Sequence, residues 1–321
     1  MPLLIREDEV AELLTMREAM TAVEAAFAHQ ARGAGSNHPR ARLFVPRGVL
    51  HHMAASLPGF PQPGQGVMGT KTYTSFEGGT RFWVMLYSAE NGDLLAMVEA
   101  DRLGQMRTGA ATGVAARHMA RPEATVAALL GTGWQARSQV AALKEALPKL
   151  REIRAVGRDQ ARRIAFCREM TDELELPVTP AHSVEAATHN AQVLVCATTA
   201  REPILKGEWL APGTFVAAVG ANRVSAREID EETVARADVV AVDDVAQARA
   251  EAAELIFAHE KRRFAWERAR PLSDIVAGRA PGRENPEQIT LFKSLGVALE
   301  DVAVAATVYQ KARTRGVGSE F

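Results

Sequence analysis

A glycine-rich turn near the middle of the chain is the first place where residue type and spacing point to chemistry. The apolar run at 125–130 is typical of a buried parallel strand, and a helical pattern follows through Val140 and Leu143. The turn between them has small residues at Gly131, Gly133 and Ala136. This spacing is typical of dinucleotide-binding folds, in which the turn and the helix N-terminus hold the pyrophosphate. The alternative is a strand-to-helix turn that binds nothing. The expected cofactor-binding residues are Gly131, Thr132, Gly133, Trp134, Gln135 and Ala136.

Three basic residues in the first third of the chain are candidates for substrate chemistry. Lys71 lies in a predicted strand that otherwise has no charged residue, and on its inner face a buried ammonium must pair or titrate; the alternative is a lysine that faces solvent. Arg107 lies where a strand-rich region passes into an alanine-rich helix. It is placed to clamp a carboxylate through two parallel hydrogen bonds, or to form a salt bridge between domains. Arg42 is a weaker candidate of the same type.

The histidines and cysteines do not suggest a metal site. His51 and His52 are adjacent in a predicted strand, so their side chains point to opposite faces. Cys167 in a predicted helix and Cys196 in a predicted strand lack the spacing of a metal or disulfide motif. We therefore expect no metal, and two buried thiols in a reducing compartment.

Composition and charge are those of an ordinary globular protein. Of the 321 residues 47% are hydrophobic and 24% are charged, and the formal net charge is −1. This balance, without a Lys/Arg block, argues against nucleic acid or an anionic membrane as the main partner. The N-terminus becomes charged too early for a signal peptide, and no apolar run approaches the roughly 18 residues that span a bilayer. The expected location is the cytoplasm.

Two kinds of pattern along the chain predict two domains. The first part has a helical pattern followed by short strands with tight turns, which favours an antiparallel or mixed sheet. Asn91-Gly92 is a hairpin signal, because both residues tolerate a positive φ. From Val126 onward strands and helices alternate, which predicts βαβ units in a doubly wound parallel sheet, and 294–313 reads as one helix. The strand candidates of the first part are 42–45, 49–54, 69–73, 82–87 and 94–99.

Motifs spread over nearly the whole chain carry a family resemblance. The most specific is the run 289–296, Ile-Thr-Leu-Phe-Lys-Ser-Leu-Gly, which no general dinucleotide-binding fold requires. Together the motifs resemble the ornithine cyclodeaminase/mu-crystallin family, which includes an archaeal type of alanine dehydrogenase and ketimine reductases. The other motifs are 69–71, 107–110, 130–136, 197–199 with Pro203, 219–221 and 228–230.

The resemblance completes the predicted architecture, which is α/β. A Rossmann-type doubly wound parallel sheet domain at 118–296 is expected to bind the dinucleotide. An α+β domain at 1–117, completed by the final helix at about 297–321, is expected to bind substrate and to form a homodimer.

The resemblance also implies roles for single residues. Lys71 matches the active-site lysine that contacts the reacting amine or imine and the carboxylate. Arg107 matches the arginine that fixes the carboxylate, and Arg42 resembles a second carboxylate contact. We expect Lys71 and Arg107 to share one pocket that faces the glycine turn, with side chains within about 10 Å of each other. Further residues implied to contact the cofactor are Thr108, Thr198, Val219, Gly220, Ser294 and Gly296.

One departure from the family pattern bears on the reaction. Where the cyclodeaminases carry an acidic residue that helps to activate the amine, this chain has Asn222, while Asp230 fits the start of a helix. An amide does not accept a proton at neutral pH, although it can hydrogen-bond to substrate. We therefore expect hydride transfer between a nicotinamide and the α-carbon of a small amino acid or its imine, with 2-keto acids and cyclic imino acids as related substrates. The alternatives are an ornithine cyclodeaminase and a non-catalytic, crystallin-like protein that binds NADPH.

The residues after the second Rossmann strand predict the form of the cofactor. An NAD enzyme usually ends this strand with an acid that binds both ribose hydroxyls. Here the strand ends in Gly157-Arg158-Asp159, and Arg158 can stack on adenine and meet a 2′-phosphate, while Asp159 suits the N-cap of the next helix. The alternative is that Asp159 swings back to the ribose and Arg158 is solvated. We expect a preference for NADP(H), with NAD(H) as the second option.

Overall fold

The residues described by the computed structural model, 1–62 and 64–321, divide into two units. The first unit combines Met1–Ala110 with Gly296–Phe321, and the second is Ala111–Leu295. Within the described ranges no helix is long and apolar enough to cross a bilayer. The assignment of substrate binding to 1–117 and of cofactor binding to 118–296 stays a prediction.

The order of the elements follows the two sequence patterns. Strands dominate from Ser36 to Glu99, and strands alternate with helices from Val126 onward. The four strands between Ser36 and Ser88 have ten residues each and are longer than the sequence pattern predicted. The strands are β1 (Leu3–Ile5), β2 (Ser36–Val45), β3 (Gly48–Leu57), β4 (Val67–Phe76), β5 (Gly79–Ser88), β6 (Leu94–Glu99), β7 (Val126–Leu130), β8 (Glu152–Val156), β9 (Val178–Pro180), β10 (Val193–Cys196), β11 (Phe215–Ala218), β12 (Val239–Val242), β13 (Ala269–Pro271), β14 (Thr290–Lys293) and β15 (Ser319–Glu320). The helices are α1 (Glu7–Leu13), α2 (Met16–Ala31), α3 (Asp101–Met119), α4 (Trp134–Ala146), α5 (Gln160–Leu174), α6 (Val184–Thr188), α7 (Glu231–Arg236), α8 (Val245–Glu251), α9 (Ala253–Glu260), α10 (Leu272–Val276) and α11 (Ala298–Arg315).

The first unit contains a mixed sheet with the strand order β15-β1-β6-β5-β4-β3-β2. β1 runs parallel to β6, and the other neighbours are antiparallel. The predicted hairpin joins β5 to β6, where Gly92 has a φ of 79°. Helix α11 packs on α2 and on strands β3 and β4. Gly69 permits this approach, because a Cβ there would lie 3.1 Å from Val302.

Helix α2 illustrates how the local sequence sets an element. Thr15 and Glu18 form a capping box, in which the N–H of Thr15 donates to the Glu18 carboxylate at 2.9 Å and the N–H of Glu18 donates to the Thr15 hydroxyl at 3.3 Å. Met20, Val23 and Phe27 recur at helical spacing and are fully buried. The cap fixes where the helix begins, and the apolar face fixes which side packs inward.

The second unit contains a sheet in which every neighbouring pair of strands is parallel, in the order β13-β12-β14-β11-β10-β7-β8-β9. Strands β10, β11, β12 and β14 are buried along their whole length, as expected for a parallel sheet covered on both faces. The chain order reverses between β7 and β10, which makes that point the topological switch of the sheet. The predicted α/β fold is confirmed.

The predicted helix at 294–313 is wrong at its start, because α11 begins only at Ala298. The N–H of Leu295 donates instead to Oδ2 of Asp243 at 2.7 Å. Gly296 then has a φ of 73°, a left-handed conformation that interrupts a right-handed helix. Hydrophobic spacing continues through this segment, but it carries no information about a distant hydrogen-bond acceptor.

Candidate active site

Lys71 is buried on β4, in the middle of the first unit's sheet. Its cross-strand neighbours are Met53 on β3 and Val84 on β5, so its side chain shares their face of the sheet. Only 2% of the residue is exposed. Nζ donates to Oδ1 of Asp301 at 2.6 Å and lies 5.2 Å from the ring centroid of Phe82. The lysine therefore pairs with an acid, as an ammonium in apolar surroundings must.

The surroundings of Lys71 also change its acidity. Burial lowers the pKa of Lys71 to about 8, because an apolar site disfavours the charged form. The carboxylate of Asp301 opposes this shift, whereas the positive charges of Arg107 and Arg40 add to it. A lysine with this pKa can give up and regain a proton near neutral pH, so Lys71 is suited to acid–base chemistry.

Arg107 is held by the same group of acids. It lies inside α3 rather than at the start of the helix. Its Nε donates to Oδ1 of Asp301 at 3.1 Å, and its Nη1 donates to Oε2 of Glu300 at 2.7 Å. Lys71 and Arg107 thus bond to one oxygen atom, and their nitrogens are no further apart than two hydrogen-bond lengths. The structure brings these two candidate residues together; which way the pair faces stays a prediction.

Sequence reasoning missed the two acids that hold this pair. Glu300 and Asp301 are fully buried in the first turn of α11. Their signal is the position of two adjacent acids ahead of the apolar run 302–306, because carboxylates are almost never fully buried without a partner. That signal predicts cationic partners but does not say which residues they are. We call Lys71, Arg107, Glu300 and Asp301 the Lys71 cluster.

Arg40 is a further buried cation of the first unit that sequence reasoning missed. It is 9% exposed, and its Nη2 donates to the carbonyl oxygen of Gly296 at 3.0 Å. Gly296 lies directly against Arg107, since a Cβ on the glycine would come within 2.8 Å of Nη2 of that guanidinium. The absence of a side chain at Gly296 therefore lets the backbone pass close to both arginines.

Arg42 lies next to a row of rings, His51, Tyr73 and Phe82, on the sheet face that carries Lys71. It is half-buried and opposite His51 in the register of β2 and β3. Burial lowers the pKa of His51 to about 4, and the charges of Arg42 and Arg40 contribute, so the imidazole is neutral. The His51 ring stacks on Tyr73, with centroids 4.1 Å apart and planes 5° from parallel. Tyr73 is two residues from Lys71, so the row extends from the lysine toward Arg42.

His52 and the two cysteines lie outside the row of rings and the Lys71 cluster. Nδ1 of His52 is 3.2 Å from the hydroxyl of Thr72. Among residues 1–62 and 64–321 no three His, Cys, Asp or Glu side chains form a metal-binding group. Cys167 and Cys196 are buried free thiols, and burial raises the pKa of Cys167 to about 11, which keeps it in the unreactive thiol form.

Thr108 follows Arg107 on α3. Its hydroxyl donates to the carbonyl oxygen of Gly104 at 2.7 Å, and the residue is 7% exposed. Gly104 is also the point where α3 approaches Lys71, because a Cβ there would lie 2.9 Å from Nζ. The motif 107–110 is thus part of the helix that packs on the lysine.

The glycine turn of the second unit follows β7 at the switch point. Gly131 has a φ of 107°, and a Cβ there would overlap the carbonyl oxygen of Ala197 beyond β10, so only glycine fits. Gly133 is the N-cap of α4 and has open space where a Cβ would stand. The first turn of α4 has no acidic residue and, within the described chain, no side-chain cap. The turn therefore offers backbone N–H groups and a helix dipole to an anion, which fits a dinucleotide pyrophosphate.

The other residues of this turn have different surroundings. Thr132 packs against Gly157 at the end of β8, where a Cβ would overlap its hydroxyl. Trp134 is 47% exposed, Gln135 is half-buried and Ala136 is fully buried. The small side chain of Ala136 suits the third position of the motif, where the helix packs closely on the strand.

The segment after β8 separates the roles of its two charged residues. Asp159 is the N-cap of α5, and its Oδ1 accepts from the N–H of Arg162 at 2.9 Å. Arg158 is exposed and has no hydrogen bond or ion pair with the rest of the described chain. The predicted N-cap is confirmed, and the arginine is accessible to a ligand.

The remaining candidates of the second unit lie just beyond its strands. Thr198 follows β10, Val219 and Gly220 follow β11, and Ser294 follows β14. The carboxyl ends of neighbouring parallel strands share one edge of the sheet, which is where ligands of this fold class bind. Asn222, two residues past Gly220, is half-buried. The sheet therefore gathers these candidates along the edge that also carries the glycine turn.

Sequence reasoning gave no role to the acid that joins these strand ends. Glu228 is fully buried and accepts hydrogen bonds from Thr198, Gly220 and Ala221. Burial raises the pKa of Glu228, while the charge of Lys293 and the bonds from Thr198 oppose the rise. The acid lies in the motif 228–230, which signalled family membership but not this set of partners.

Comparison with known proteins identifies the family. The sequence profile of the ornithine cyclodeaminase/mu-crystallin family matches residues 2–316. The chain belongs to this family. It is similar to the alanine dehydrogenase of Archaeoglobus fulgidus, with 34% identity over an alignment of 330 positions, gaps included, that covers 99% of this chain and 98% of the relative. The resemblance inferred from the motifs is confirmed.

Solved structures give the same result for the fold. The Delta(1)-pyrroline-2-carboxylate reductase of Thermococcus litoralis, in complex with NADH and L-proline, has a TM-score of 0.93 and 31% identity, covering 99% of this chain and 100% of that one. An archaeal alanine dehydrogenase dimer with bound NAD has a TM-score of 0.91 and 33% identity, covering 100% of this chain and 98% of that one. These relatives are oxidoreductases of amino or imino acids, and the two solved ones hold NAD or NADH.

Proposed function

We propose that this protein is an NAD(P)-dependent oxidoreductase that acts on the CH–NH group of an amino acid or its imine. The observation that carries the proposal is the Lys71 cluster, in which a lysine with a pKa of about 8 and an arginine share one buried carboxylate oxygen. Such a pair can bind the carboxylate of an amino acid substrate and exchange a proton with its nitrogen. The solved relatives with NAD or NADH support the same reaction class.

In the proposed mechanism Arg107 and Arg42 hold the substrate carboxylate. The bonds from Arg107 to Glu300 and Asp301 fix the plane of its guanidinium before substrate arrives, which lowers the cost of orienting it. Lys71 gives a proton to the substrate nitrogen in the reductive direction and takes it back in the oxidative one. Asp301 keeps the protonated lysine in place, because their charges attract at 2.6 Å.

The second unit supplies the cofactor site in this proposal. The residues of the glycine turn, Gly131 to Ala136, hold the pyrophosphate through backbone N–H groups at the start of α4. When bound, the nicotinamide supplies or accepts the hydride. Thr198, Val219, Gly220 and Ser294 of this unit are proposed to contact the cofactor, and so are Thr108 and Gly296 of the first unit.

We propose that the cofactor is NADP(H) by preference. The support is that Asp159 is engaged as a helix N-cap, while Arg158 beside it is exposed and able to meet a 2′-phosphate. The two solved relatives hold NAD or NADH, so this proposal rests on the chain's own residues and not on the relatives.

Asn222 favours simple hydride transfer over ornithine cyclisation. Its amide can hydrogen-bond to a substrate amine but cannot take a proton from it. A non-catalytic, crystallin-like role is disfavoured by the Lys71 cluster, because a buried lysine with a lowered pKa beside further charged groups is typical of a catalytic site.

We also propose a homodimer formed through the first unit. Large apolar residues are exposed on one face of its sheet: Leu43 by 65% and Val45 by 47% on β2, Leu50 by 36% on β3, and Phe76 by 47% on β4. An exposed apolar patch of this kind is typical of a subunit interface, and one solved relative is a dimer. The buried free thiols Cys167 and Cys196 suit a reducing compartment, and we place the protein in the cytoplasm.

A substrate panel tests the proposed function. The protein is supplied with NADPH or NADH and either pyruvate with ammonium or a cyclic imino acid, and with NADP⁺ or NAD⁺ and ornithine, while nicotinamide absorbance is followed. We expect oxidation of reduced cofactor with a keto acid and ammonium or with the imino acid. Release of ammonia and proline from ornithine would identify a cyclodeaminase instead. Tight cofactor binding without turnover of any substrate would identify a silent binding protein.

A further inference from the structure

Three ionisable side chains form a second buried cluster, in the second unit, for which the proposed reaction has no use so far. Glu228 and Lys293 are 0% exposed, and Glu254 is 1% exposed. We call these three residues the Glu228 cluster. Moving such groups out of water is costly unless their bonds repay it, so their arrangement needs a physical reason.

The carboxylate of Glu228 bridges the ends of two neighbouring strands. Its Oε1 accepts from the N–H and the hydroxyl of Thr198, beyond β10, at 2.6 and 2.8 Å. Its Oε2 accepts from the N–H groups of Gly220 and Ala221, beyond β11, at 2.6 and 3.2 Å. Each carboxylate oxygen thus takes two donors from one strand end. Gly220 permits this approach, because a Cβ there would lie 2.5 Å from Oε1.

Lys293 holds the same backbone segment from its other side. Its Nζ donates to the carbonyl oxygen of Ala221 at 2.5 Å and lies 3.3 Å from Oε1 of Glu254. The same Glu254 oxygen accepts from the N–H of Glu228 at 3.2 Å. Both polar groups of Ala221 are therefore fixed by buried charged side chains, immediately before Asn222.

A purely structural role would not need this arrangement. Asp230, two residues after Glu228, also accepts several hydrogen bonds, but its partners are Gly207 and Thr233, at the first turn of α7 and a neighbouring turn. A half-buried N-cap of that kind stabilises the fold without two further buried charges. Glu254 even leaves its Oε2 without a hydrogen-bond partner among the described residues. Apart from the bonds that its members make to one another, the Glu228 cluster holds the strand ends at 198 and 220–221.

We infer that Glu228 and Lys293 are positioning residues for hydride transfer, which fix the backbone at 219–222 against the nicotinamide. This inference rests on the proposed function, because it takes Thr198, Val219 and Gly220 as residues that line the cofactor. Neither Glu228 nor Lys293 contacts substrate or cofactor in it. Hydride transfer depends steeply on the distance and angle between donor and acceptor carbons, and an error of about 1 Å can cost ~100-fold in rate.

The test is Glu228→Gln, measured in full-length protein. The amide keeps one acceptor oxygen and turns an N–H donor toward one of the strand ends, so one of the two pairs of bonds is lost. We expect kcat to fall about 10- to 100-fold, with an increased kinetic isotope effect for cofactor deuterated at the transferred position. The Kd for NADPH and for 2′,5′-ADP, which binds as the adenine half alone, should stay unchanged.

Asp230→Asn is the matched control. It makes the same chemical change in a hydrogen-bonded carboxylate of the same unit, away from the strand ends. We expect a similar fall in Tm but an unchanged kcat and isotope effect. If Glu228→Gln behaves like this control, or if weaker cofactor binding accounts for its whole loss of rate, the inference is overturned.

A second variant and a second readout keep the outcomes separate. If Glu228→Gln does not fold, Lys293→Met is measured in the same way, and failure of both to fold overturns the inference in favour of a structural role. If the wild-type protein turns over no substrate, the proposed function has failed. Hydrogen exchange then decides the inference by itself: NADPH should protect the amides at 220 and 221 in the wild type and in Asp230→Asn but not in Glu228→Gln, and equal protection in all three overturns it.

Discussion

The Lys71 cluster and the Glu228 cluster both contain buried charges, but their carboxylates bond to different kinds of group. In the first, Glu300 and Asp301 bond to the side chains of a lysine and an arginine. In the second, Glu228 bonds mainly to backbone N–H groups at two strand ends. The first arrangement adjusts the acidity of a side chain, and the second adjusts the position of a backbone. We therefore propose that buried charge serves proton transfer in one unit and geometry in the other.

The largest effect expected is that of Lys71→Met, which removes the proton-exchanging group of the first cluster. General acid–base catalysis contributes roughly 10²- to 10⁴-fold, and we expect kcat to fall by about that factor. Cofactor affinity should not change. Steady-state kinetics and a cofactor titration measure the two quantities, with the exposed Lys149→Met as control. Turnover of Lys71→Met at the wild-type rate would show that the Lys71 cluster does not serve proton transfer.

Arg107→Ala should act on substrate binding more than on turnover. Truncating one side of a buried charge pair costs about 2–5 kcal/mol, so we expect a matching loss in kcat/KM, carried mainly by a higher KM. Arg117→Ala, on an exposed position of the same helix, is the control. An unchanged KM for every carboxylate substrate would show that Arg107 only holds the fold together.

Arg158→Ala probes an exposed charge of the second unit, in contrast to the buried ones. We expect the ratio of kcat/KM for NADPH to that for NADH to fall about tenfold, equivalent to ~1.4 kcal/mol for one charge-assisted contact. Arg162→Ala, one turn further on, is the control and should leave the ratio unchanged. Equal or better use of NADH by the wild-type protein would show that Arg158 does not read a 2′-phosphate.

The pH dependence of the rate distinguishes the two clusters without any substitution, and it is the smallest effect that we expect. With the pKa of Lys71 at about 8, kcat/KM in the reductive direction should fall as pH rises through 8, because the lysine loses the proton that it donates. In the oxidative direction it should rise over the same range.

Variants of each cluster sharpen this test. Asp301 raises the pKa of Lys71, so Asp301→Asn should move both inflections to lower pH. Glu228→Gln should leave both inflections in place, because Glu228 makes no hydrogen bond to Lys71 or to Asp301. An inflection that moves in Glu228→Gln but not in Asp301→Asn would reverse the roles that we assign to the clusters.

Sequence reasoning located the features that depend on a few neighbouring residues. The glycine turn at Gly131, the hairpin at Gly92 and the N-caps at Asp159 and Asp230 all follow from local conformational preference or a side chain that reaches three residues along the chain. The strand–helix alternation predicted the parallel sheet for the same reason, because periodicity reports which faces are buried. Residue type and position made Lys71 and Arg107 candidates, and the family motifs implied their roles.

What the sequence did not specify is which residues meet across long separations. Lys71 and Asp301 are 230 positions apart, and Glu228 is 30 positions from Thr198. The same limit explains the error at 294–297, where apolar spacing continued but a bond to Asp243, 52 positions away, stopped the helix until Ala298.

The sequence by itself thus determined the alternation of strands and helices, several turns and caps, and the chemical types of the candidate residues. Only the tertiary structure decided that Asp301 joins Lys71 to Arg107, and that Glu228 ties the end of β10 to the end of β11. Propensity and capping act within a few residues, whereas the partner of a buried charge is set by strand register and helix packing, which depend on the whole chain.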